Sequence, residues 1–176
     1  TNVGDTGQCA VVAADLVEAG CNIIFADSFG HEPYRIEGAK ANPEVQFCHS
    51  TGTRAHTEGL ANYHNAFASI YEGRYLAGIA AGLKLNAMID AGDIKADEAK
   101  MGYVGAFTYA EVVSGYTSFY LGAKSVCPTV TMDVTFTGSW YDETLEKEGA
   151  AKPLQGGCKL RSQTPTSLGG ATASEK

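Results

Sequence analysis

Three pairs of residues at the ends of apolar runs have side chains suited to holding a flat ligand. Each pair joins a small residue to a large aromatic one, and the pairs are Ser28-Phe29, Ala106-Phe107 and Ser139-Trp140. Ligands of open parallel sheets bind beyond the carboxyl ends of the strands, which is where these aromatic residues fall. Stacking of a base on an aromatic side chain contributes about 1–3 kcal/mol, so a purine ring held by two of them is one interpretation. Routine packing at a strand end is the other.

Asp142 and Glu143 follow Trp140 at the predicted start of a helix. Asp142 can cap the free N–H groups there, and both carboxylates suit the positive end of the helix dipole. Helix capping alone accounts for the two residues. Their charge also opposes a phosphate group at this position, which favours a neutral ligand such as a nucleoside over a nucleotide.

Residue spacings typical of enzymes are sparse. Tyr120 and Lys124 have the Tyr-x-x-x-Lys spacing of short-chain dehydrogenases, but no G-x-G-x-x-G turn follows a strand. His49, His56 and His64 flank a polar loop and show no metal-ligand spacing. A nucleophile elbow and a phosphate-binding loop are also absent. The sequence therefore predicts a binding protein without catalytic residues, metal or cofactor.

Arg74 lies within one helical turn of Glu72 and Tyr75. One interpretation is that its guanidinium tethers a neighbouring segment or the crossing between two lobes. The other is a partly buried structural ion pair.

Composition and charge exclude several classes of partner. The chain has 176 residues, is 44% hydrophobic and carries a net charge of −7 without a cluster of lysine and arginine. A phosphate backbone would be repelled, so no nucleic acid is expected as a partner. No apolar stretch approaches the roughly 18 residues of a membrane span. We expect a globular chain with one sizeable core or with parts of two smaller ones.

The five cysteines do not indicate a zinc site or a complete disulfide framework. Their number is odd and no C-x-x-C pair occurs. We expect them mainly to fill small apolar positions of the core. They are Cys9, Cys21, Cys48, Cys127 and Cys158.

Hydrophobic periodicity predicts the elements that must carry the aromatic residues. In the first half, residues 10–20 read as a helix that ends at Gly20, and CNIIFAD reads as a strand buried on both faces. HEPYRIEGAKANP reads as a helix ended by Pro43, and VQFCHST as a second strand. Residues 66–85 give the longest helical pattern, which we expect to be largely buried. Its glycines at 73, 78 and 82 indicate close approach by a neighbouring element.

The second half alternates strands with helices. The predicted strands are MGYVGAF, TMDVTFTG and CKLRSQ, and the helices between them are YAEVVSGYTSFYLGAKSV and DETLEKEGAAKPL. Crossover helices of ten or more residues imply a parallel sheet covered on both faces. The small, polar C-terminal segment from residue 164 onward is expected to be poorly ordered.

Four segments occur together, in order and at intervals typical of one family. They are IIFADSFG, IYEGRYLAGIAAG, GYVGAFTYAEVVSGYTSFYLGAKSV and MDVTFTGSWYDETLEKE. With them the chain, from about Thr1 to Lys159, resembles the basic membrane protein family of ABC-transporter substrate-binding lipoproteins, which includes purine-nucleoside receptors.

The resemblance implies an α/β architecture, the type I periplasmic-binding-protein fold. That fold has two doubly wound parallel-sheet lobes that clamp the ligand, and this chain covers it only partly. Residues 1–100 would be part of the first lobe with a crossover helix, and residues 101–176 part of the second.

By position, the resemblance implies ligand contacts for Ser28 and Phe29 on the first lobe and for Phe107 and Trp140 on the second. At residues 164–166 the family more often has His-Ala-Asp where this chain has Thr-Pro-Thr, so no ligand role is transferred to that segment.

The resulting hypothesis is a non-catalytic, extracytoplasmic solute-binding protein of an ABC importer. It would capture a purine nucleoside or nucleobase, and closure of its lobes would be the signal read by the ABC permease. The resemblance implies a periplasmic protein or a lipoprotein whose lipid anchor lies outside this chain. Two alternatives stay open. One is an α/β enzyme acting on a nucleoside or sugar through Tyr120, Lys124 or a histidine; the other is a ligand sensor with the same fold.

Overall fold

The computed structural model describes residues 3–172, apart from the side chain of Leu154. They form two compact units that divide between Ala68 and Ser69. Each unit has its own three-stranded parallel sheet, so the predicted α/β class with parallel sheets is confirmed. Residues 173–176 of the expected C-terminal tail lie outside the described residues.

The first unit alternates helices with parallel strands. Its elements are α1 (Gln8–Glu18), β1 (Ile23–Ala26), α2 (Glu32–Ala41), β2 (Gln46–Ser50), α3 (Ala55–Glu58) and β3 (Tyr63–Ala66). β2 lies in the middle of the sheet, with Phe47 beside both Ile24 and Tyr63. These three side chains form a core with Ala13 of α1 and Ile36 of α2. The sequence analysis missed α3 and β3, which it had assigned to a polar loop.

The first helix ends at the glycine that the sequence analysis predicted. Gly20 has a φ of 86°, its N–H donates to the Val17 carbonyl, and the Cys21 N–H donates to the Leu16 carbonyl. These two bonds form a Schellman motif, which needs the left-handed residue that glycine supplies without a Cβ clash. The predicted role of Gly20 is confirmed.

The prediction that β1 is buried on both faces is wrong. Ile24 is buried, whereas Ile23 is 47% exposed and Phe25 is 73% exposed. α1 and α2 pack on the face of the sheet that carries Ile24. No helix among the described residues of this unit shields the opposite face, which is why its apolar side chains meet solvent.

The second unit is built around β4. Its elements are α4 (Ile70–Asp90), β4 (Lys100–Gly105), α5 (Ala110–Val126), β5 (Thr131–Phe136), α6 (Glu143–Gln155), β6 (Leu160–Gln163) and α7 (Gly169–Thr172). β5 and β6 flank β4, and all three strands are parallel. The core gathers buried side chains from α4, β4 and α5, including Leu85, Met101, Tyr103 and Phe119.

Glycines bring α4 against α5. A Cβ at Gly78 would overlap the carbonyl of Phe119, and a Cβ at Gly82 would lie 2.6 Å from the carbonyl oxygen of Ala123. The predicted close approach is confirmed at these two positions, whereas Gly73 faces open space. Because its contacts are with α5, α4 groups with the second unit, although the sequence analysis had assigned residues 69–100 to the first lobe.

The expectation that this helix is largely buried is wrong. Only Gly78, Gly82 and Leu85 of α4 are buried, and Leu76 and Leu83 are more than half exposed. Within the described part of the second unit, α5 is the helix that packs on α4, and it covers one narrow stripe. No helix in the described part of the chain is long and apolar enough to cross a membrane.

Candidate ligand-binding site

Two of the aromatic residues singled out from the sequence meet at the carboxyl edge of the second sheet. Phe107 follows β4 and Trp140 follows β5, and these strands are parallel neighbours. The ring centroids of Phe107 and Trp140 are 5.7 Å apart, with an interplanar angle of 56°. Tyr109 stacks on Phe107 with centroids 5.0 Å apart and an angle of 22°. We call these three residues the aromatic cluster; the sequence analysis did not identify Tyr109.

The aromatic cluster is accessible. Phe107 and Trp140 are partly buried, and Tyr109 is 43% exposed. At 56° the rings of Phe107 and Trp140 do not stack on each other. Aromatic rings that are partly open to solvent are side chains suited to contact with a flat ligand.

Hydrogen bonds fix the backbone around Trp140. Gly138 has a φ of 71°, and its N–H donates to the Ala106 carbonyl at 2.8 Å. The Thr137 hydroxyl donates to the Ser139 carbonyl at 2.8 Å, and the Thr166 N–H donates to the Trp140 carbonyl at 3.1 Å. The tryptophan is thus tied to the exit of β4 on one side and to the segment after β6 on the other.

A buried carboxylate holds that last segment. Glu146 of α6 is fully buried and accepts hydrogen bonds from the Ser167 N–H at 3.0 Å, the Gln163 side-chain amide at 3.2 Å and the Asp142 N–H at 3.1 Å. Asp142 in turn accepts from the Leu145 N–H at 2.9 Å, which confirms its predicted capping role. Residues 164–167, to which the sequence analysis assigned no ligand role, support the loop that carries Trp140.

Ser28 and Phe29 lie in the first unit, at the exit of β1. The Ser28 hydroxyl donates to Asp5 at 2.7 Å, and the Ser28 carbonyl accepts from His49 Nε2 at 2.7 Å. Phe29 is partly buried and begins a one-turn 3-10 helix, Phe29–His31. His49 belongs to β2, so one side chain links two neighbouring strand ends.

The loop after β2, residues 51–54, is held by a second buried carboxylate. Glu32 accepts from the N–H groups of Thr53 and Arg54, both at 2.8 Å, and from the Tyr63 hydroxyl at 3.1 Å. Thr51 has a φ of 71°, a left-handed conformation that costs free energy for a β-branched residue. The sequence analysis did not identify this loop; its one signal was Gly52 between two threonines directly after a strand.

The surroundings of His49 favour its neutral form. Burial lowers its pKa, and Nε2 carries the proton that is donated to the Ser28 carbonyl. Its Nδ1 is buried, has no hydrogen-bond partner among the described residues and faces Gly52, where a Cβ would overlap it. No side chain larger than that of glycine fits at position 52 unless His49, Asn65 and Glu32 all move.

Within the second unit, Tyr120 and Lys124 do not meet the aromatic cluster. Lys124 donates to the Val130 carbonyl at 3.4 Å and lies 5.9 Å from the Tyr120 ring, at the end of α5 that leads into β5. That is the amino edge of the sheet, opposite to the aromatic cluster. His56 is exposed, and exposed His64 pairs with Gln46 at 2.8 Å.

Residues 3–172 contain neither a metal-ligand cluster nor a disulfide bond. In that range no group of three or more histidine, cysteine, aspartate or glutamate side chains is arranged to hold a metal ion. All five cysteines are free thiols, and Cys9, Cys127 and Cys158 are buried as expected for core positions.

Comparison with known proteins gives a consistent family. The model of the Bmp family, described as "ABC transporter substrate-binding protein PnrA-like", matches residues 7–164. A purine-binding protein of Brucella abortus is 32% identical over 162 residues, which are 92% of this chain and 42% of that protein. A putative ABC transporter glucose-binding protein of Haloferax volcanii is 31% identical over 152 residues, which are 86% of this chain and 35% of that protein.

Solved structures share the fold. A solute-binding protein of an ABC transporter system from Aeropyrum pernix matches with a TM-score of 0.80 at 20% identity, over 99% of this chain and 48% of that one. One from Conexibacter woesei matches with a TM-score of 0.63 at 24% identity, over 94% and 52%. The chain thus spans about half the length of these structures and less than half of the two sequence relatives.

Proposed function

Since this chain belongs to the family of PnrA-like ABC transporter substrate-binding proteins, we propose that the whole protein binds a purine nucleoside or nucleobase and presents it to an ABC permease. The observation that carries this proposal is the pair of Phe107 and Trp140, 5.7 Å apart on neighbouring strand exits. Flat, poorly hydrated ring systems gain the most binding free energy from stacking on aromatic side chains. The name of the Brucella abortus relative, a purine-binding protein, supports the same ligand class.

In this proposal the two units are parts of two lobes, and each contributes ligand contacts. Ser28 and Phe29 act from the first unit, and Phe107 and Trp140 from the second. Closure on the ligand is the conformational signal that a permease reads. The protein works outside the cytoplasm, held at the membrane by a lipid anchor outside this chain or free in the periplasm.

The charge distribution favours an uncharged purine compound. Asp142 and Glu143 lie two and three residues after Trp140, and the chain as a whole carries a net charge of −7. A phosphate group would meet this negative potential and would lose affinity through it. A nucleoside or a nucleobase therefore suits the site better than a nucleotide.

A sugar is the second candidate ligand. The Haloferax volcanii relative is named a glucose-binding protein. Aromatic rings also pack against the apolar C–H faces of sugars, so the same aromatic cluster would serve. Hydrogen bonds to hydroxyl groups would then carry the specificity.

Catalysis and sensing are the remaining alternatives. Tyr120 and Lys124 lie at the opposite edge of the sheet from the aromatic cluster, which disfavours the proposal that they act on a ligand bound there. Recovery of the ligand chemically unchanged after incubation excludes an enzyme. A gene next to that of a permease distinguishes an importer component from a sensor.

The test is calorimetric titration of the full-length protein with adenosine, guanosine, inosine, adenine, ribose and glucose. Binding of a purine compound without binding of ribose or glucose supports the stacking site. Binding of glucose alone establishes the sugar alternative. If none of them binds, the aromatic cluster has a structural role and the proposal is wrong.

A further inference from the structure

Glu111 is a partly buried acidic residue. It lies in the first turn of α5, four residues after Phe107. Among residues 3–172 its carboxylate accepts no hydrogen bond and forms no ion pair. Burial raises the pKa of this carboxyl group, and the charge of Arg74 partly opposes that effect. A carboxylate that is partly withdrawn from water gains from donors that offset its lost hydration, and the described residues donate no hydrogen bond to it.

The packing of α5 shows where Glu111 lies. Gly115 follows one helical turn later on the same face of the helix. A Cβ at Gly115 would lie 3.7 Å from the Tyr103 hydroxyl and 3.9 Å from Cγ of Arg74. This face of α5 therefore looks toward β4 and α4. Glu111 is one turn nearer to the carboxyl edge of the sheet, where the aromatic cluster lies.

Arg74 is close to Glu111 but is engaged elsewhere. Its Nη1 donates to the Gln163 carbonyl at the end of β6, at 3.4 Å. Through this contact Arg74 tethers α4 to the end of β6, which is one of the two roles that the sequence analysis considered. The guanidinium thus favours the charged form of Glu111 without occupying the carboxylate oxygens.

We infer that Glu111 is a specificity-determining residue whose carboxylate accepts a hydrogen bond from an N–H or O–H group of the ligand on the aromatic cluster. The inference rests on the proposed function and extends it. Aromatic stacking accepts any flat ring system and does not depend on which atoms the ring contains. A carboxylate accepts hydrogen bonds only, so it distinguishes donor groups from acceptor groups at the edge of the ligand. The donor is either the exocyclic amine of the base or the 2′- or 3′-hydroxyl of the sugar.

The test compares Glu111→Gln with the wild-type full-length protein. Glutamine keeps the size of the side chain, removes the charge and retains one acceptor oxygen. Hydrogen bonds to charged groups are worth more than neutral ones, so we expect affinity for adenosine or guanosine to fall about 10- to 100-fold. Glu72→Gln is the matched control, because Glu72 is an exposed glutamate in the first turn of α4. It should leave the affinity within about twofold of wild type.

Ligand analogues separate the two sources of the donor. Adenosine is compared with purine riboside and guanosine with inosine, which lack the exocyclic amine, and each nucleoside with its 2′,3′-dideoxy form. If the protein binds adenine alone, purine replaces purine riboside. The loss caused by Glu111→Gln should shrink to about twofold or less for the analogue that lacks the donor read by Glu111. An equal loss for every analogue would overturn the inference.

The outcomes distinguish failure of the inference from failure of the proposed function. If Trp140→Ala weakens binding and Glu111→Gln does not, the aromatic site stands and the role of Glu111 is wrong. If the wild-type protein binds no purine compound, both are wrong. A lowered thermal midpoint for Glu111→Gln, with affinity unchanged at a temperature where it is folded, would identify a purely structural residue.

Discussion

At the scale of single residues, Trp140 is the side chain on which the proposed function depends most. Replacement by alanine removes one face of the aromatic cluster, and we expect a loss of about 1–3 kcal/mol, or roughly 5- to 150-fold in the dissociation constant. Calorimetric titration with the purine compound that binds most tightly measures this loss. Phe25→Ala is the control, because its ring is 73% exposed on the open face of β1. Equal affinities for wild type and Trp140→Ala would refute ligand stacking.

His49 should make stability depend on pH. Its pKa is lowered in the folded protein, mainly by burial, whereas in the unfolded chain it is about 6.5. The groups around it are the Ser28 carbonyl, Gly52, Glu32, His31 and Arg35. As pH falls below about 6.5, this histidine binds a proton in the unfolded chain but stays neutral in the folded protein. The free energy of unfolding therefore decreases, by at most about 1.4 kcal/mol per pH unit. Below the folded pKa this decrease ends.

Urea unfolding of the wild type and of His49→Gln between pH 8 and pH 5 checks the effect. Glutamine can keep the hydrogen bond to Ser28 and does not titrate. The difference in unfolding free energy between the two proteins should shift in favour of the variant as pH falls. A difference that stays constant over this range would mean that His49 does not set the pH dependence.

At the scale of elements, the contact between α4 and α5 depends on the absence of side chains. A Cβ at Gly122 would overlap the Tyr75 carbonyl and lie 3.0 Å from the Ile79 amide nitrogen. Because two helix backbones must then move apart, Gly122→Ala should destabilise the protein by about 1–3 kcal/mol, measured by urea unfolding. Gly73→Ala in α4 meets open space and should stabilise by up to about 1 kcal/mol. We therefore expect the two glycine-to-alanine substitutions to change the free energy of unfolding in opposite directions. Equal changes would contradict a close contact between the helices.

The sequence predicted those elements whose signals are local. The end of α1 at Gly20, the helix cap at Asp142 and the strands β4, β5 and β6 depend on turn chemistry and on periodicity within one segment. Burial was predicted less well, because it depends on which elements lie opposite. Among the described residues of its own unit, apolar α4 packs against one helix, α5, and the apolar strand β1 is covered by helices on one face.

The candidate site was predicted in part for the same reason. Phe107 and Trp140 could be paired from the sequence because both follow strands of one parallel sheet. Tyr109 joins them through a loop conformation that no pattern encodes. The buried carboxylates of Glu32 and Glu146 accept backbone N–H groups from segments 21 residues away along the chain, a contact that appears only once the chain is folded.

At the scale of the whole molecule, net charge should separate nucleosides from nucleotides. The chain carries a net charge of −7, and two carboxylates follow Trp140. We expect adenosine monophosphate to bind more weakly than adenosine, and the gap to narrow between 20 mM and 500 mM salt, because salt screens the repulsion from exposed charges. Titrations at the two salt concentrations measure this. A nucleotide that binds more tightly than its nucleoside would instead require a cationic phosphate site.

Trp140 is the single tryptophan of this chain, and it lies against Phe107 in the aromatic cluster. Its indole is therefore a built-in optical probe at the point where the ligand is proposed to bind. Emission from this part of the molecule has one source, so a change in its intensity or wavelength on mixing can be followed in real time without a dye. Stopped-flow mixing then gives the association and dissociation rate constants. These two constants set how fast the ligand binds and how long the complex lasts.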